Sequence, residues 1–318
     1  MPSRPRSLTR SAALMPVLVF IAAAACAPQM KPVERPPAPR EMVQLWSAAG
    51  RARDLLAGPG NRAARPVDTV PFKVLKFDGA GNSVGYDVVD ARGREWKAKL
   101  GEEVQPEIVA SRLLWGIGFH QPPMYHVPNL QLEGGRSEDS GQQARVRAEF
   151  GYKTESDWSW HENPFVGTRQ MKGLLVANLI LNNWDLKATQ NRIYVMKERD
   201  GGPMRRFVVQ DLGAALGKTG WPTGNRNDVE GFEQQNLIKR VTNGIVEFDY
   251  DARHTELFKD ITPADVVWAC RQFARLTDAQ WRDAFRAANY SPERSARFIA
   301  KLKSKVQEGL ALDARASR

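Results

Sequence analysis

The chain of 318 residues has 42% hydrophobic and 26% charged residues and a formal net charge of +10. Its length allows an export segment plus one large domain or two small ones, and its composition is ordinary for a soluble globular chain with a buried core. No dense run of Lys and Arg interleaved with aromatic residues occurs, so we expect no nucleic-acid partner. The surplus positive charge favours anionic partners such as phosphate groups or lipid headgroups, or it is spread over a mixed solvated surface.

The first 26 residues have the pattern of an export signal. Arg4, Arg6 and Arg10 precede the apolar run AALMPVLVFIAAAA, which is too short for a comfortable membrane span. The ending AAAAC resembles a bacterial lipobox, in which Cys26 would become the lipidated first residue. Ala23 stands where that motif usually has Leu, and ordinary cleavage after an Ala-x-Ala site is the alternative.

Residues 27–41 are rich in proline and poor in apolar side chains, which predicts an extended tether. We therefore expect an exported lipoprotein of a bacterial cell envelope, anchored to the membrane through Cys26 and facing the periplasm or the exterior. Cys270 has no cysteine partner other than Cys26, so a buried free thiol is expected. The four histidines show no metal-ligand spacing, so zinc is not expected.

The residues that follow predict a helix, a small sheet and a second helix. Helical spacing of apolar residues runs from about 42 to 57 and stops at a Gly-Pro pair. FKVLKF, VGYDVVD and EWKAKL, separated by the turns DGAGNS and ARGR, predict a three-stranded meander. Residues 104–118 predict a helix with Pro106 in its first turn and Gly118 past its end. An extended stretch and a flexible tip, GGRSEDSGQQ, come next.

The rest of the chain is predicted to be mostly helical. Thr168 can cap the apolar helix RQMKGLLVANLILNN, and the loop WDLKATQN leads into a hairpin of RIYVMKE and RRFVVQDLG. A Gly-rich loop, GAALGKTGWPTGNRNDVEGF, precedes three helices that begin at ITP, TDA and SPE. This order of elements predicts an α+β fold, with the sheet and its linking helix in residues 42–125 and a helical part in residues 126–318.

Phosphoryl transfer needs a Lys that holds phosphates, an acid that holds the Lys, an Asp that orients the attacking group, and oxygen ligands for a divalent metal. The strand EWKAKL supplies Lys97 and Lys99 on one face and apolar residues on the other. Solvent exposure commonly explains such a pattern, but Glu107 on the following helix could hold Lys99 toward a phosphate. Glu102 and Glu103 are nearer rivals for that pairing.

The stretch NNWDLKATQNR follows an apolar helix and contains residue types that suit a catalytic loop. Asp185 could accept or orient the proton of a substrate hydroxyl, and Lys187 could contact the transferred phosphate. Gln190 or Asn191 could offer an amide oxygen to a metal. A polar helix stop is the alternative interpretation. After the hairpin, Asp211 stands at a strand end with a glycine two residues on, where a carboxylate could bind magnesium from a rigid strand.

In chain order, WKAKLG, EIVASRLLWGIGFHQPP, NNWDLKATQNR and VVQDLGAALG resemble the atypical kinase-fold group. That group contains HipA-type kinases, the phosphatidylinositol 3- and 4-kinases and the secreted Golgi casein kinases. The resemblance covers roughly residues 70–220. It implies a bilobal kinase-like fold with a small antiparallel-sheet N-lobe and a mainly helical C-lobe. It also implies ATP or another nucleotide, with Mg or Mn, as cofactors.

By that resemblance Lys99 is the phosphate-holding residue and Glu107 is its partner. Asp185 is the catalytic Asp, with Lys187 beside it, and Asp211 is the metal ligand. The rest of the group's pattern is not matched position by position. No His-Arg pair precedes Asp185, and no A-P-E-like anchor follows Asp211.

Three further positions depart from the group's pattern. The loop GAGNSVG is one residue longer than G-x-G-x-x-G, so Gly79 and Gly81 either cover the cofactor or form a turn. The metal-ligand Asn is expected five residues after the catalytic Asp, where Gln190 stands, and Asn191 is one step late. Lys97 would project into the space that an adenine ring normally fills.

The sequence leaves three functions open. The first is an exported, membrane-tethered kinase-like phosphotransferase that acts on a hydroxyl of a protein, a sugar or a lipid headgroup. The second is a catalytically inactive kinase-fold binding or scaffold lipoprotein, favoured by Gln190, by Lys97 and by the scarcity of ATP outside the cytoplasm. The third is an envelope lipoprotein in which these polar residues are structural. Metal-dependent nucleotide binding that requires Asp211 distinguishes the first function from the others.

Overall fold

The computed structural model describes residues 31, 35–48, 53–79, 83–197, 202–220 and 224–316. The predicted export signal with Cys26 lies outside the described residues, as does much of the predicted tether. The fold is mixed α+β, as predicted, with one six-stranded sheet, two smaller sheets and a set of helices. None of the helices within the described ranges is long and apolar enough to cross a membrane.

The first half of the described chain builds the large sheet and the helix that packs on it. Its elements are α1 (Pro39–Met42), β1 (Phe72–Asp78), β2 (Gly85–Val89), β3 (Glu95–Leu100), α2 (Val104–Gly116), β4 (Met124–Leu130), β5 (Leu132–Glu133) and β6 (Gln142–Ala148). The strand order is β4-β6-β3-β2-β1-β5, and every neighbouring pair is antiparallel except β1 and β5. The predicted meander is confirmed as β1 to β3, and α2 is confirmed with it.

Strand β6 was not predicted, and it lies in the middle of the sheet between β4 and β3. Because β4 and β6 belong to this sheet, the sheet continues to Ala148, past the boundary predicted at residue 125. Side-chain hydrogen bonds link the tip that precedes β6 to strand β2. The buried carboxylate of Asp139 accepts hydrogen bonds from the Tyr86 hydroxyl at 2.5 Å and from the Arg136 guanidinium at 2.8 Å.

The helix predicted from about 42 to 57 is wrong. Helix α1 is a single turn, and Trp46 instead forms an isolated β-bridge with Phe119. The indole N–H of Trp46 donates to the Ile117 carbonyl at 2.8 Å, at the end of α2. This pairing gives backbone groups of the segment hydrogen-bond partners outside a helix. The segment therefore does not form the helix that the spacing of its apolar residues predicts.

The second half of the described chain adds two small sheets and most of the helices. Its elements are β7 (Lys153–Asp157), α3 (Arg169–Ile180), β8 (Asn191–Lys197), β9 (Pro203–Val209), α4 (Val229–Gln234), β10 (Ile238–Thr242), β11 (Ile245–Phe248), α5 (Pro263–Ala274), α6 (Asp278–Arg286) and α7 (Pro292–Ala316). The four predicted helices are confirmed as α3, α5, α6 and α7, and the predicted hairpin as β8 and β9. Strand β7 and the hairpin of β10 and β11 were not predicted.

Helix starts in this half follow the capping signals of the sequence. The hydroxyls of Thr168, Thr262 and Thr277 each accept a hydrogen bond from the backbone N–H three residues on. A cap of this kind stabilises a helix start by about 1 kcal/mol. The cap at Thr168 therefore helps to hold α3, the helix that leads into the loop containing Asp185.

The apolar side chains form two cores. One joins α2, α3 and β9 to α5, α6 and α7, and it includes Cys270 as a buried free thiol, as predicted. The other lies within the large sheet and includes Trp96, Ala98 and Leu100 of β3. Because these three side chains enter the sheet core, the alternate residues of β3 face the opposite side, toward β9 and the loop before β8.

Gly173 of α3 lies against Trp268 of α5, where a Cβ atom would overlap the indole ring. We expect Gly173→Ala to destabilise the fold by about 1–3 kcal/mol, because the two helices would have to separate. The gain in helix propensity of about 1 kcal/mol works in the other direction. Denaturant unfolding measures the difference. In a Trp268→Ala background the same change should be neutral or stabilising, and equal destabilisation in both backgrounds would contradict the overlap.

Candidate functional site

The site is built on the alternation of β3. Lys97 and Lys99 share one face of the strand, as predicted, while their apolar neighbours are buried on the other. Lys97 stands opposite Asp87 of β2, and its ammonium group lies 3.1 Å from the Asp87 carboxylate. Lys99 lies deeper, with only 17% of its side chain exposed.

Lys99 is held by three carboxylates from three parts of the chain. Its Nζ atom lies 3.0 Å from Glu103, 3.4 Å from Glu107 and 3.1 Å from Asp211. Burial alone would lower the pKa of Lys99, but these carboxylates, Glu107 foremost, raise it above its usual value. The predicted Glu107 partner and its rival Glu103 are therefore both engaged. Lys99 is fixed as a cation, extended toward the end of β9.

Glu107 is fully buried and is also held from the neighbouring strand. Arg145 of β6 places Nη2 at 3.0 Å from the Glu107 carboxylate, and its Nη1 donates to the Lys97 carbonyl at 3.0 Å. Sequence reasoning missed Arg145 because β6 was not recognised. The alternation of Arg145 and Arg147 around the buried Val146 is the signal that could have revealed it.

The loop after α3 brings the predicted catalytic Asp into a defined set of contacts. Asn182, at a φ of +53°, ends the helix, and a 3-10 turn at Ala188–Gln190 precedes β8. The Oδ2 atom of Asp185 accepts hydrogen bonds from Lys187 Nζ at 3.0 Å and from Gln190 Nε2 at 2.9 Å. The side chain of Lys187 is half-exposed, whereas Gln190 reaches inward from the turn.

Gln190 connects Asp185 to Asp211. Its Nε2 atom also lies 3.3 Å from Asp211 Oδ2, while the other oxygen of Asp211 accepts from Lys99 and from the Gly213 N–H at 3.3 Å. Burial would raise the pKa of Asp211, but Lys99 lowers it below its usual value, so Asp211 stays a carboxylate. One connected network therefore joins Lys99 of β3 to Asp185 of the loop.

Three predicted positions are not brought into this network. Asn191 is fully buried and donates its amide to the Trp158 carbonyl at 3.3 Å, facing away from Asp211. Gly79 follows β1, and the side chain nearest to where its Cβ would stand is that of Phe77. Gly81 lies outside the described residues.

We call the space between the β3 face and the turn at Thr189 and Gln190 the Lys99 cleft, a cavity of about 220 Å³. Asp185 and Lys187 are not among its lining residues, and Asp185 connects to it through Gln190. Eight charged residues line it: Lys97, Lys99, Arg145, Arg147, Arg192, Asp78, Asp87 and Asp211. Five of these are cations, and each of the five also has a carboxylate partner within 4 Å. Among the described residues, no group of three or more His, Cys, Asp or Glu side chains is placed to hold a metal ion.

Comparison with known proteins concerns the overall fold only. No protein-family model matches the chain, and no curated protein sequence matches it. Among solved structures, the proinflammatory kinase CtkA of Helicobacter pylori matches with 10% identity and a TM-score of 0.39, over 76% of this chain and 99% of that one. The Golgi casein kinase with Mn and ADP bound matches with 9% identity and a TM-score of 0.41, over 78% and 73%.

A third match is HipA of Shewanella oneidensis, in its complex with HipB and operator DNA. Its identity is 11% and its TM-score 0.40, over 78% of this chain and 68% of that one. HipA and the Golgi casein kinase are types that the sequence resemblance also named.

The network around Lys99 generates a pH prediction. Because the folded-state pKa of Asp211 is depressed, its charge stabilises the fold above the unfolded pKa of about 3.9, and this contribution is lost as pH falls through the folded value. In Lys99→Met the pKa of Asp211 should rise, so stability should begin to fall at a higher pH than in the wild type. Thermal unfolding from about pH 3 to pH 7 measures both curves.

Lys97→Met is the matched control, since it removes a lysine from the same strand whose ion pair with Asp87 is more exposed. Its pH curve should stay close to that of the wild type. Parallel curves for Lys99→Met and the wild type would show that Lys99 does not hold Asp211 in its charged form.

Proposed function

We propose that the protein is a kinase-like phosphotransferase whose active site is the Lys99 cleft. The observation that carries this proposal is the Lys99–Asp211 ion pair, continued through Gln190 to Asp185. It brings together a phosphate-holding cation, a metal-binding carboxylate and a hydroxyl-orienting carboxylate, which are the groups that phosphoryl transfer requires. In this proposal the sheet with α2 is an N-lobe, the part containing α3 and α5 to α7 is a C-lobe, and the cleft lies between them.

Each residue would then act from the position it has. Lys99, charged and held by Glu107, would contact the phosphate groups of the donor. Asp185 would accept or orient the proton of the attacking hydroxyl, and Lys187 beside it would contact the phosphoryl group in transfer. Preorganised charges of this kind lower the barrier because they need no rearrangement during the reaction.

The donor oxygens around Gln190 fit a divalent cation. Gln190 Oε1 is buried without a hydrogen-bond partner, while its Nε2 atom donates to both carboxylates. A half-turn of the amide would point its oxygen at Asp185 and Asp211, which is favourable only with a cation among the three groups. Oxygen ligands suit Mg and Mn. A bound metal would neutralise charge on the phosphates, and ATP or another nucleotide is the donor we propose.

The sequence adds a cellular setting to this proposal. An export signal ending at Cys26 and a tether of residues 27–41 would place the enzyme on a membrane of the bacterial envelope, facing the periplasm or the exterior. The acceptor would be a hydroxyl group of a protein, a sugar or a lipid headgroup. A lipid-anchored enzyme would meet acceptors at that surface at high local concentration.

A catalytically inactive binding or scaffold protein is the second candidate, and one contact favours it. The amide N–H of Gln190 already bridges the two carboxylates that a metal would join. Lys97 and its Asp87 partner also line the part of the cleft where the resemblance implies an adenine ring. In this alternative the cleft holds an anionic ligand and transfers nothing.

Nucleotide binding separates the two candidates. We expect ATP with Mg or Mn to raise the melting temperature of the full-length chain, because a ligand at about 100 times its dissociation constant stabilises the folded state by roughly 2.7 kcal/mol. The rise should require the metal and should be lost in Asp211→Ala. Asp278→Ala is the control, since that exposed carboxylate pairs with Lys303 and neither residue lines the cleft. A metal-independent rise that Asp211→Ala retains would favour the binding protein.

Transfer itself is tested with labelled ATP and envelope extracts as acceptor. Asp185→Ala and Asp211→Ala should each abolish transfer. Residues that act together in catalysis fail together, so the loss of one costs nearly as much rate as the loss of all. Both variants should still unfold cooperatively, since these side chains lie at loop ends outside the apolar cores. Full transfer by either variant would contradict the assignment of the site.

A further inference from the structure

A second cavity lies on the opposite side of α2 from the Lys99 cleft. Its volume is about 410 Å³, within the usual range for small-ligand sites. It is bounded by α2, β4, the turns after residue 53 and the end of α6. We call it the Arg112 pocket, and the polar side chains that line it are Arg62, Arg65, Arg112, Tyr125, His126, Arg286 and Asn289.

Arg112 supplies a buried charge that the protein does not neutralise. Its residue is 1% exposed, and its Nη2 atom donates to the Met124 carbonyl at 2.5 Å. Its Nε and Nη1 atoms are buried and have no hydrogen-bond partner among the described residues. Burial lowers the pKa of Arg112 to about 10, so the guanidinium is still charged at neutral pH. A buried charge without a partner is strongly destabilising unless a counterion is bound.

The other charged residues that line the pocket are all positive. Arg62, Arg65 and Arg286 surround the opening, and no Asp or Glu lines the Arg112 pocket. The acids nearby act from outside it. Asp283 pairs with Arg286 at 2.8 Å, and Asp68 lies 3.8 Å from Arg65.

Asp54 is the carboxylate whose charge acts on Arg112, but it forms no ion pair with it. Its Oδ1 atom accepts the backbone N–H groups of Leu56 and Ala57, each at 3.0 Å. The pocket is therefore lined by Arg112, whose guanidinium has two nitrogens without hydrogen-bond partners, and by three further arginines. This is the chemistry that binds phosphate.

The backbone around Arg112 is shaped to admit its guanidinium. Gly58 has a φ of +75°, and a Cβ atom there would overlap the Arg112 head group. On the other side the guanidinium lies 5.7 Å from the centre of the Tyr125 ring. A glycine in the left-handed region and an aromatic wall hold the charge in one orientation, as a built binding site requires.

We propose that the Arg112 pocket binds a compact, multiply charged oxyanion, namely a phosphate group. The proposal does not depend on the Lys99 cleft being an enzyme site. Arg112 follows Glu107 by five residues on α2, so the two side chains leave different faces of one helix. An anion on Arg112 would fix the far face of the same helix that holds Lys99 in place.

Thermal unfolding of the full-length chain tests the proposal, with inorganic phosphate or pyrophosphate added at constant ionic strength. At an anion concentration of about 100 times the dissociation constant, the equilibrium constant for folding should increase roughly 100-fold. The melting temperature should then rise by several degrees. The rise should be lost in Arg62→Gln/Arg286→Gln. It should be kept in Arg282→Gln, which removes an exposed charge from α6 outside the pocket, and in Lys99→Met.

Arg112→Met gives an independent readout. Without added anion it should be at least as stable as the wild type, since it removes an unpaired buried charge, and phosphate should no longer stabilise it. If that variant does not fold, the double variant decides. The proposal is overturned if phosphate and pyrophosphate leave the wild type unchanged, if the double variant keeps the rise, or if only Lys99→Met loses it.

Discussion

The ion pairs of Lys99 determine how the sheet, α2 and the end of β9 meet. One ammonium group faces three carboxylates from Glu103, Glu107 and Asp211, and Arg145 balances the buried Glu107 from the next strand. Charges this buried are tolerated only together, because removal of one partner leaves another uncompensated. The positions of these elements are therefore coupled.

Helix α2 lies between two sites of different charge balance. On its cleft side Glu107 belongs to a network in which every cation has a carboxylate partner. On its far side Arg112 has no ion pair among the described residues. A packed helix moves as a body, so ligands on its two faces would bias the same element, and any such coupling would be reciprocal.

Local signals in the sequence were enough for much of the fold and for the main residues of the site. Alternation predicted β3 and the shared face of Lys97 and Lys99, and a Thr cap predicted the start of α3. The end of that helix and the end of β9 located Asp185 and Asp211. These features depend on neighbours within a few residues, which is the range over which propensity and turn chemistry act. Strand β6 and the loss of the helix near residues 42–57 depend on pairing with distant segments, so local patterns do not reveal them.

By itself, then, the sequence determined the α+β class, the helix boundaries of the C-terminal part and the residue types available to the site. Only the tertiary structure decided which of them act together. It joined Glu103 and Glu107 to one lysine and turned Gln190 rather than Asn191 toward Asp211. It also left the buried Arg112 without an ion pair among the described residues. The reason is physical: a side chain's charge state and ligands depend on burial and on groups far away in the chain, and neither is encoded by spacing.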